Sequence, residues 1–359
     1  MKKLILIPAL LLLVIITSCS KSGNTVKPIA PIAPAGTANV LVAGSEAITT
    51  GHYAATIWTN GVALHLTDGS SFATANSVFA VGNDVYASGY QFNATTKNNV
   101  AVLWKNGVAT NLTNGTTNGV ATSVCVYNGD VYVAGYQENS VGLPLAQLWK
   151  NGALVTLAGT TVNSHAYGVY ADATGVYVAG YSVIETTLKS RAYARIWKNG
   201  AISTLPGAAE RYQANAVFVK NGDVYAAGLD LNIPYINVAE TWKNGIETKL
   251  TDSTHAAEAN SIFVNGNDVY VVGDETNQTN RSVAKVWKNG VATALTNGST
   301  AAIATSVYSI GSDVYVAGLE DSSLGLAYPR IWKNGTAVTL GDGTTPGYAF
   351  SVFVAYSSQ

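Results

Sequence analysis

The stretch AKVWKNGVATALT, Ala284–Thr296, contains a tetrapeptide that recurs along the chain at a nearly constant interval. It reads WTNG from Trp58 and WKNG from Trp104, Trp149, Trp197, Trp242, Trp287 and Trp332, a period of 45 to 48 residues. Runs of alternating apolar and polar residues flank it. Asn-Gly between two such runs is a strong hairpin signal, because a type I′ turn needs positive φ at both central positions. Two further runs precede it in each repeat, as in Ser261–Val264 and Asp268–Gly273, joined by a turn carrying Gly-Asn-Asp or Asn-Gly-Asp. Each repeat therefore reads as four short antiparallel strands, and a tandem array of such units at this period predicts an all-β propeller.

The spacing predicts how the ring closes. From each Trp to the Gly ending the next second strand the distance is 31 residues in six repeats, from Trp58–Gly89 to Trp287–Gly318. From that Gly to the following Trp it is 14, 15, 14, 17, 14, 14 and 14 residues, so all length variation falls in the loop between second and third strands. The longest example is Tyr181–Ala194. Ser351–Val354 reads as a first strand with no partner after it, and Val40–Gly44 as a second strand with none before it. Together the two termini complete a seventh blade, which closes the ring and removes two exposed sheet edges.

This pattern resembles seven-bladed β-propellers, and the DVYVAG and WKNG elements look like the repeats of exported propeller lipoproteins of Bacteroidota. The resemblance covers Val40–Gln359 and implies fold and export. Neither the WD pair, the kelch double glycine nor the sialidase Asp box occurs, so no activity is carried over with the fold.

The N-terminus has Lys2 and Lys3, then an apolar run, Leu4–Ile16, too short to span a bilayer. Ile16-Thr17-Ser18-Cys19 resembles a bacterial lipobox. The resemblance implies cleavage before Cys19, a signal peptide over 1–18, and acyl chains on Cys19 that anchor the protein stably. Because Ser20 is not aspartate, the outer membrane is the expected address. Residues 19–38 hold Pro28, Pro31 and Pro34 without periodicity and read as an extended tether. Residues 39–359 form the propeller. Without Lys2 and Lys3 there are 18 basic against 21 acidic residues and no basic cluster, which excludes a nucleic-acid footprint. With Cys19 lipidated, Cys125 has no disulfide partner. It occupies the slot held by Phe79, Phe218, Phe263 and Phe353 and is expected as a buried small hydrophobe.

Most of the repeated residues read as building material. The Trp ring is expected to fill the space between blades, with each N–H finding a carbonyl. Two residues before three of the Trp lie Arg195, Glu240 and Lys285, expected as a partly exposed charge ladder between blades. The turn residues Asp84, Asp130, Asp223, Asp268 and Asp313 are expected to bond their own turns' N–H groups. His52, His65, His165 and His255 share no ligand spacing and read as surface or loop residues. No nucleophile elbow or phosphate loop occurs, so neither a cofactor nor a metal is expected.

The rim bearing the second-to-third loops and the blade connections is where function is expected, because variable loops on a rigid scaffold carry binding. It holds Tyr53, Tyr90, Tyr136, Tyr181, Tyr193, Tyr212, Tyr235 and Tyr328, with acids including Asp230, Asp274, Glu275 and Glu320. Tyrosine stacks on sugars and anchors protein partners. The expectation is a monomeric, non-enzymatic envelope protein, held to the membrane by its lipid alone, that binds a glycan or a protein on this rim. Two alternatives stand beside it: a carbohydrate-active hydrolase or lyase using loop carboxylates near the central channel, and a structural scaffold of the envelope.

Overall fold

A computed structural model describes residues 38–48, 51–185, 190–207, 212–232 and 236–356. The expected signal segment, Cys19 and the expected tether up to residue 37 lie outside the described residues, as does Tyr235. The described chain forms seven four-stranded antiparallel sheets arranged as a ring. Blades 1 to 6 run from Ala73 to Asn111, Gly119 to Val155, Ser164 to Thr204, Tyr212 to Lys249, Ala257 to Ala294 and Ala302 to Thr339. Blade 7 takes its first strand, Gly347–Tyr356, from the C-terminus and its other three, Ala38–Ala47, Tyr53–Thr59 and Val62–His65, from the N-terminus. Leu41 pairs with Phe353 and Val42 with Val352, so the termini close the ring.

Each letter of WKNG has a structural task. In all seven hairpins Asn has φ of 50° to 52° and Gly 80° to 84°, the two left-handed positions of a type I′ turn. The Asn side chain also accepts a hydrogen bond from the second strand, as from Val269 N to Asn289 Oδ1 at 2.8 Å. It donates to the turn aspartate, Asn289 Nδ2 to Asp268 Oδ1 at 2.9 Å. The Lys ammonium completes the group, 2.7 Å from Asp268 and over the Tyr270 ring. The turn aspartates Asp84, Asp130, Asp223, Asp268 and Asp313 thus bond the neighbouring hairpin's Lys and Asn, not their own turns as expected, and these partners hold their carboxyls below the usual range.

Trp is the filler between blades. Trp104 packs on Leu41, Ile57 and Leu66 of blade 7, Trp197 on Leu148 and Leu157 of blade 2, and Trp242 on Ile196 and Leu205 of blade 3. Each ring therefore lies against the preceding blade, where burial of a large aromatic contributes about 3 kcal/mol. The expectation for the N–H groups is met in part. Trp197 donates to Ala158 O and Trp242 to Pro206 O, both at 2.8 Å, whereas the N–H groups of Trp58, Trp104 and Trp287 are buried without partners.

First strands stand side by side around the axis. Each carries a bulge, placing Asn76, Thr122, Tyr167, Asn215, Asn260, Thr305 and Phe350 out of register with the second strand. The bulge pushes a carbonyl toward the Gly of the second strand: a Cβ on Gly273 would lie 1.8 Å from Glu258 O. That close approach is why every repeat keeps Gly there. Five of the bulge residues, all polar, donate to the next blade, as Asn260 Nδ2 does to Ala304 O at 3.0 Å. The serine after the bulge accepts from the next blade in turn, as Ser261 Oγ does from Val307 N at 3.3 Å. Between blades 3 and 4 the corresponding residues are Tyr167 and Gly168, and neither kind of bond is present among the described residues.

Nearer the tight-turn rim, Tyr170, Phe218, Phe263, Tyr308, Phe353 and Phe79 follow one another at centroid spacings of 4.6 to 4.9 Å. Cys125 holds the seventh place, buried as expected, and burial pushes its thiol up to about 12.

Candidate functional site

The variable-loop rim departs from sevenfold symmetry in two places, and both departures are aromatic. The first lies on blades 2 and 3. His165, on the first strand of blade 3, stacks on Tyr181 with centroids 5.1 Å apart and planes 18° apart. Tyr136 of blade 2 contacts the same imidazole at 4.3 Å, and Tyr167 lies 5.7 Å from it. The backbone explains the cluster: His165 pairs with Tyr181 across the ladder, and the adjacent bulge turns Tyr167 out of register. Burial pushes His165 down to about 4, with Glu138 opposing, so the ring is neutral at pH 7. Expected as a surface or loop residue, His165 is the centre of the cluster. The Tyr167 hydroxyl is raised, first by burial and then by Tyr181.

The second departure lies where blade 7 meets blade 1. Tyr348 contacts Tyr53 at 5.5 Å and stacks near-parallel on Phe350 at 5.9 Å. Together with Phe72, Tyr90 and Leu319 of blade 6 these rings border a cavity of about 350 Å³ on this rim. On the far side, blade 5 presents Glu258 and Asp274, paired in register. Burial pushes Asp274 up to about 6.

The structure thus brings together four of the tyrosines singled out by sequence, in two groups: Tyr53 with Tyr90, and Tyr136 with Tyr181. The others stand apart. Tyr193 carries the Arg195 guanidinium over its ring at 5.3 Å, and Tyr328 is half-buried opposite Glu320 in the blade 6 ladder. Tyr212 is 3% exposed in the core between blades 3 and 4, leaving its ring no face for a ligand. Asp230 and Glu240 lie sealed on blade 4, near Lys249. Glu320 bonds Arg330 at 3.1 Å, and Glu275 pairs with Lys285. The expected ladder of charges between blades is replaced by ion pairs within blades: Lys285 and Arg330 find carboxylates on their own second strands, and Arg195 bonds Ser182 and Thr204.

The longest loop also differs from expectation. Residues 181–185 and 190–194 of the supposed irregular segment pair as a ladder, Tyr181 with Ala194 through Glu185 with Ser190, so the insertion lengthens a hairpin.

Sequence reading passed over Tyr167, Tyr348 and Phe350. The available signal was the bulge position, where five repeats carry Asn or Thr and two carry an aromatic. Among the described residues no group of three or more His, Cys, Asp or Glu side chains could hold a metal ion. An apolar crevice of about 230 Å³ opens on the tight-turn rim between blades 6 and 7, lined by Val40, Val42, Ile331 and Leu340. It is a gap between repeated packing residues of the two blades.

No family model and no curated protein matches the chain. Solved structures match in fold. The β-propeller domain of the Trilobed protease from Pyrococcus furiosus aligns with a TM-score of 0.52 at 12% identity, covering 88% of this chain and 96% of that one. A puromycin-hydrolyzing peptidase of Mycobacterium tuberculosis gives 0.52 at 12% identity over 75% of this chain and 46% of that one. The Pyrococcus horikoshii acylaminoacyl peptidase gives 0.51 at 12% identity over 88% and 53%. The chain thus spans about half the length of these two peptidases. The Pyrococcus furiosus domain is described by an open velcro topology, whereas here Gly347–Tyr356 pairs with Ala38–Ala47. At this identity the likeness shows a β-propeller and nothing about activity.

Proposed function

We propose that this protein is a lipid-anchored propeller of the bacterial cell envelope that binds a glycan or a protein partner on its variable-loop rim. One observation carries the reading: the repeated residues are spent on turns and blade packing, while the two asymmetric aromatic groups lie on one rim. A sevenfold scaffold gains a specific site only where the repeat is broken, and tyrosine there offers a flat apolar face with a polar tip. The chain enters the fold at the opposite, tight-turn rim, at Ala38, so a tether from Cys19 leaves the aromatic rim free.

The joint variant Tyr90→Ala, Tyr136→Ala, Tyr181→Ala tests this against panels of envelope glycans and envelope proteins. Binding should vanish while the melting temperature stays near wild type. An unchanged binding profile contradicts the reading. Lipidation is tested by Cys19→Ala, which should move the protein from the membrane to the soluble fraction.

A second reading, a carbohydrate-active hydrolase or lyase, is favoured by one feature. Glu258 and Asp274 oppose each other in the blade 5 ladder, where paired Cβ atoms sit about 5 Å apart, and one of the two acids is raised to about 6. Release of reducing ends or unsaturated sugars from a polysaccharide panel, lost in Asp274→Asn, would establish it. No product from any substrate would remove it.

A further inference from the structure

The cavity at the junction of blades 6, 7 and 1 has a more specific chemistry than the rim as a whole. Tyr53, Phe72, Tyr90, Leu319, Tyr348 and Phe350 supply its walls. The aromatic planes are not parallel throughout: Tyr53 is tilted 49° to Tyr348, while Phe350 lies within 7° of Tyr348. A ring entering between them meets faces and edges at once, the arrangement aromatic pairs prefer. No charged side chain lines the space, and its polar groups are Ser45, Thr74 and the tyrosine hydroxyls.

Three properties narrow the occupant. A volume of about 350 Å³ is near the lower end of the range of about 300–1,000 Å³ found for ligand sites, enough for one ring system. A sugar would bring several hydroxyls against Phe72, Leu319 and Phe350 and leave them unpaired, which costs affinity. A charged group would lose its water and find no counter-ion. Exposed apolar side chains accompany the cavity. Phe72, one of the lining residues, is 46% exposed, and the loop following Leu319 on blade 6 exposes Leu324 at 85% and Leu326 at 46%. A pocket for one anchor residue beside exposed apolar side chains is the usual anatomy of a protein hot spot.

We propose that this cavity receives a tyrosine or tryptophan side chain presented by a protein partner. The proposal rests on the rim-binding reading and selects protein over glycan within it. The partner's ring lies between Tyr348 and Phe72, and its single polar group, a phenol or an indole N–H, meets the tyrosine hydroxyls at the mouth.

The full-length protein is titrated with N-acetyl-L-tryptophanamide, N-acetyl-L-tyrosinamide, N-acetyl-L-leucinamide and methyl β-D-glucopyranoside, followed by saturation-transfer NMR. The aromatic amides should bind saturably, at least about ten-fold tighter than the leucine amide. Leu319→Trp, which fills the cavity, and Tyr348→Ala, which opens it, should each abolish that binding. The first of these leaves the blade ladder untouched, so loss of binding is separable from loss of fold. Aromatic amides that do not saturate, or that bind both variants as well as wild type, overturn the proposal. Saturable glucoside binding lost in Leu319→Trp also overturns it, while leaving a rim that binds glycans. Partner binding indifferent to Leu319→Trp and to the rim tyrosine variants removes both the proposal and the reading beneath it.

Discussion

The Lys249 ammonium lies 3.7 Å from a carboxylate oxygen of Glu240, and Glu240 has no contact with solvent. Asp230 shares the same ammonium at 4.0 Å. One cation therefore serves two sealed acids, with Glu247 adding a third negative group. Burial first, then Glu247 and Asp230, push Glu240 up to about 8, and burial raises Asp230.

Stability against pH follows from that pair. A carboxyl raised by folding binds its proton more tightly in the folded than in the unfolded state, so its contribution is complete below the unfolded value of about 4.3 and is lost as pH climbs toward about 8. Glu240→Gln should therefore stabilise the protein by roughly 1–3 kcal/mol at about pH 8 and by much less at about pH 5. Urea unfolding of both proteins at the two pH values measures it. Equal effects at both would show that Glu240 is ionised throughout.

The bulge glycines should be far less replaceable than the turn glycines. At Gly273 an alanine Cβ meets a carbonyl at 1.8 Å, and the ladder must shift to admit it. At Gly290, with φ of 82°, nothing lies within 4 Å of an added Cβ, and the cost is that of a left-handed alanine, about 1 kcal/mol. Gly273→Ala should cost at least about 3 kcal/mol. Comparable denaturation midpoints for the two variants would contradict the bulge account.

The seam between blades 3 and 4 should be the first to open. Among the described residues it has neither the bulge-to-carbonyl nor the serine-to-amide bond seen elsewhere in the ring, each worth about 1 kcal/mol. Hydrogen exchange should be fastest, among first-strand amides, for Tyr170 to Asp172 and Val217 to Lys220. Uniform protection around all seven first strands would refute the assignment.

Cys125 should be chemically silent in the native ring. With its thiol pushed up to about 12 and fully buried, a Cys19→Ala chain should react with a thiol reagent no faster than it unfolds. Rapid labelling under native conditions would place the thiol outside the aromatic wheel.

The architecture was legible because a ring of identical blades writes itself as arithmetic. Trp, Asn and Gly recur at fixed intervals since each meets the same neighbour in each blade, and the 31-residue count carried across both termini to a seventh blade. The site was legible only to the level of a rim. Tyr53, Tyr90, Tyr136 and Tyr181 were within reach because they sit where loops vary. His165, Tyr167, Tyr348 and Phe350 were not, because their meeting depends on a bulge that shifts one residue of each first strand out of register, and alternation along a strand does not reveal that shift. Tyr212 shows the converse limit: its place near a loop said nothing of the core it fills.

The central claim, that this propeller binds through its aromatic rim, is tested most directly by comparing two variants in capture from detergent-solubilised envelope membranes. One carries Tyr90→Ala with Tyr136→Ala on the aromatic rim, and the other Lys105→Ala with Lys288→Ala on the tight-turn rim. The account predicts that a partner retained by the wild type is lost from the first variant and kept by the second. A partner kept by the first and lost from the second would contradict it.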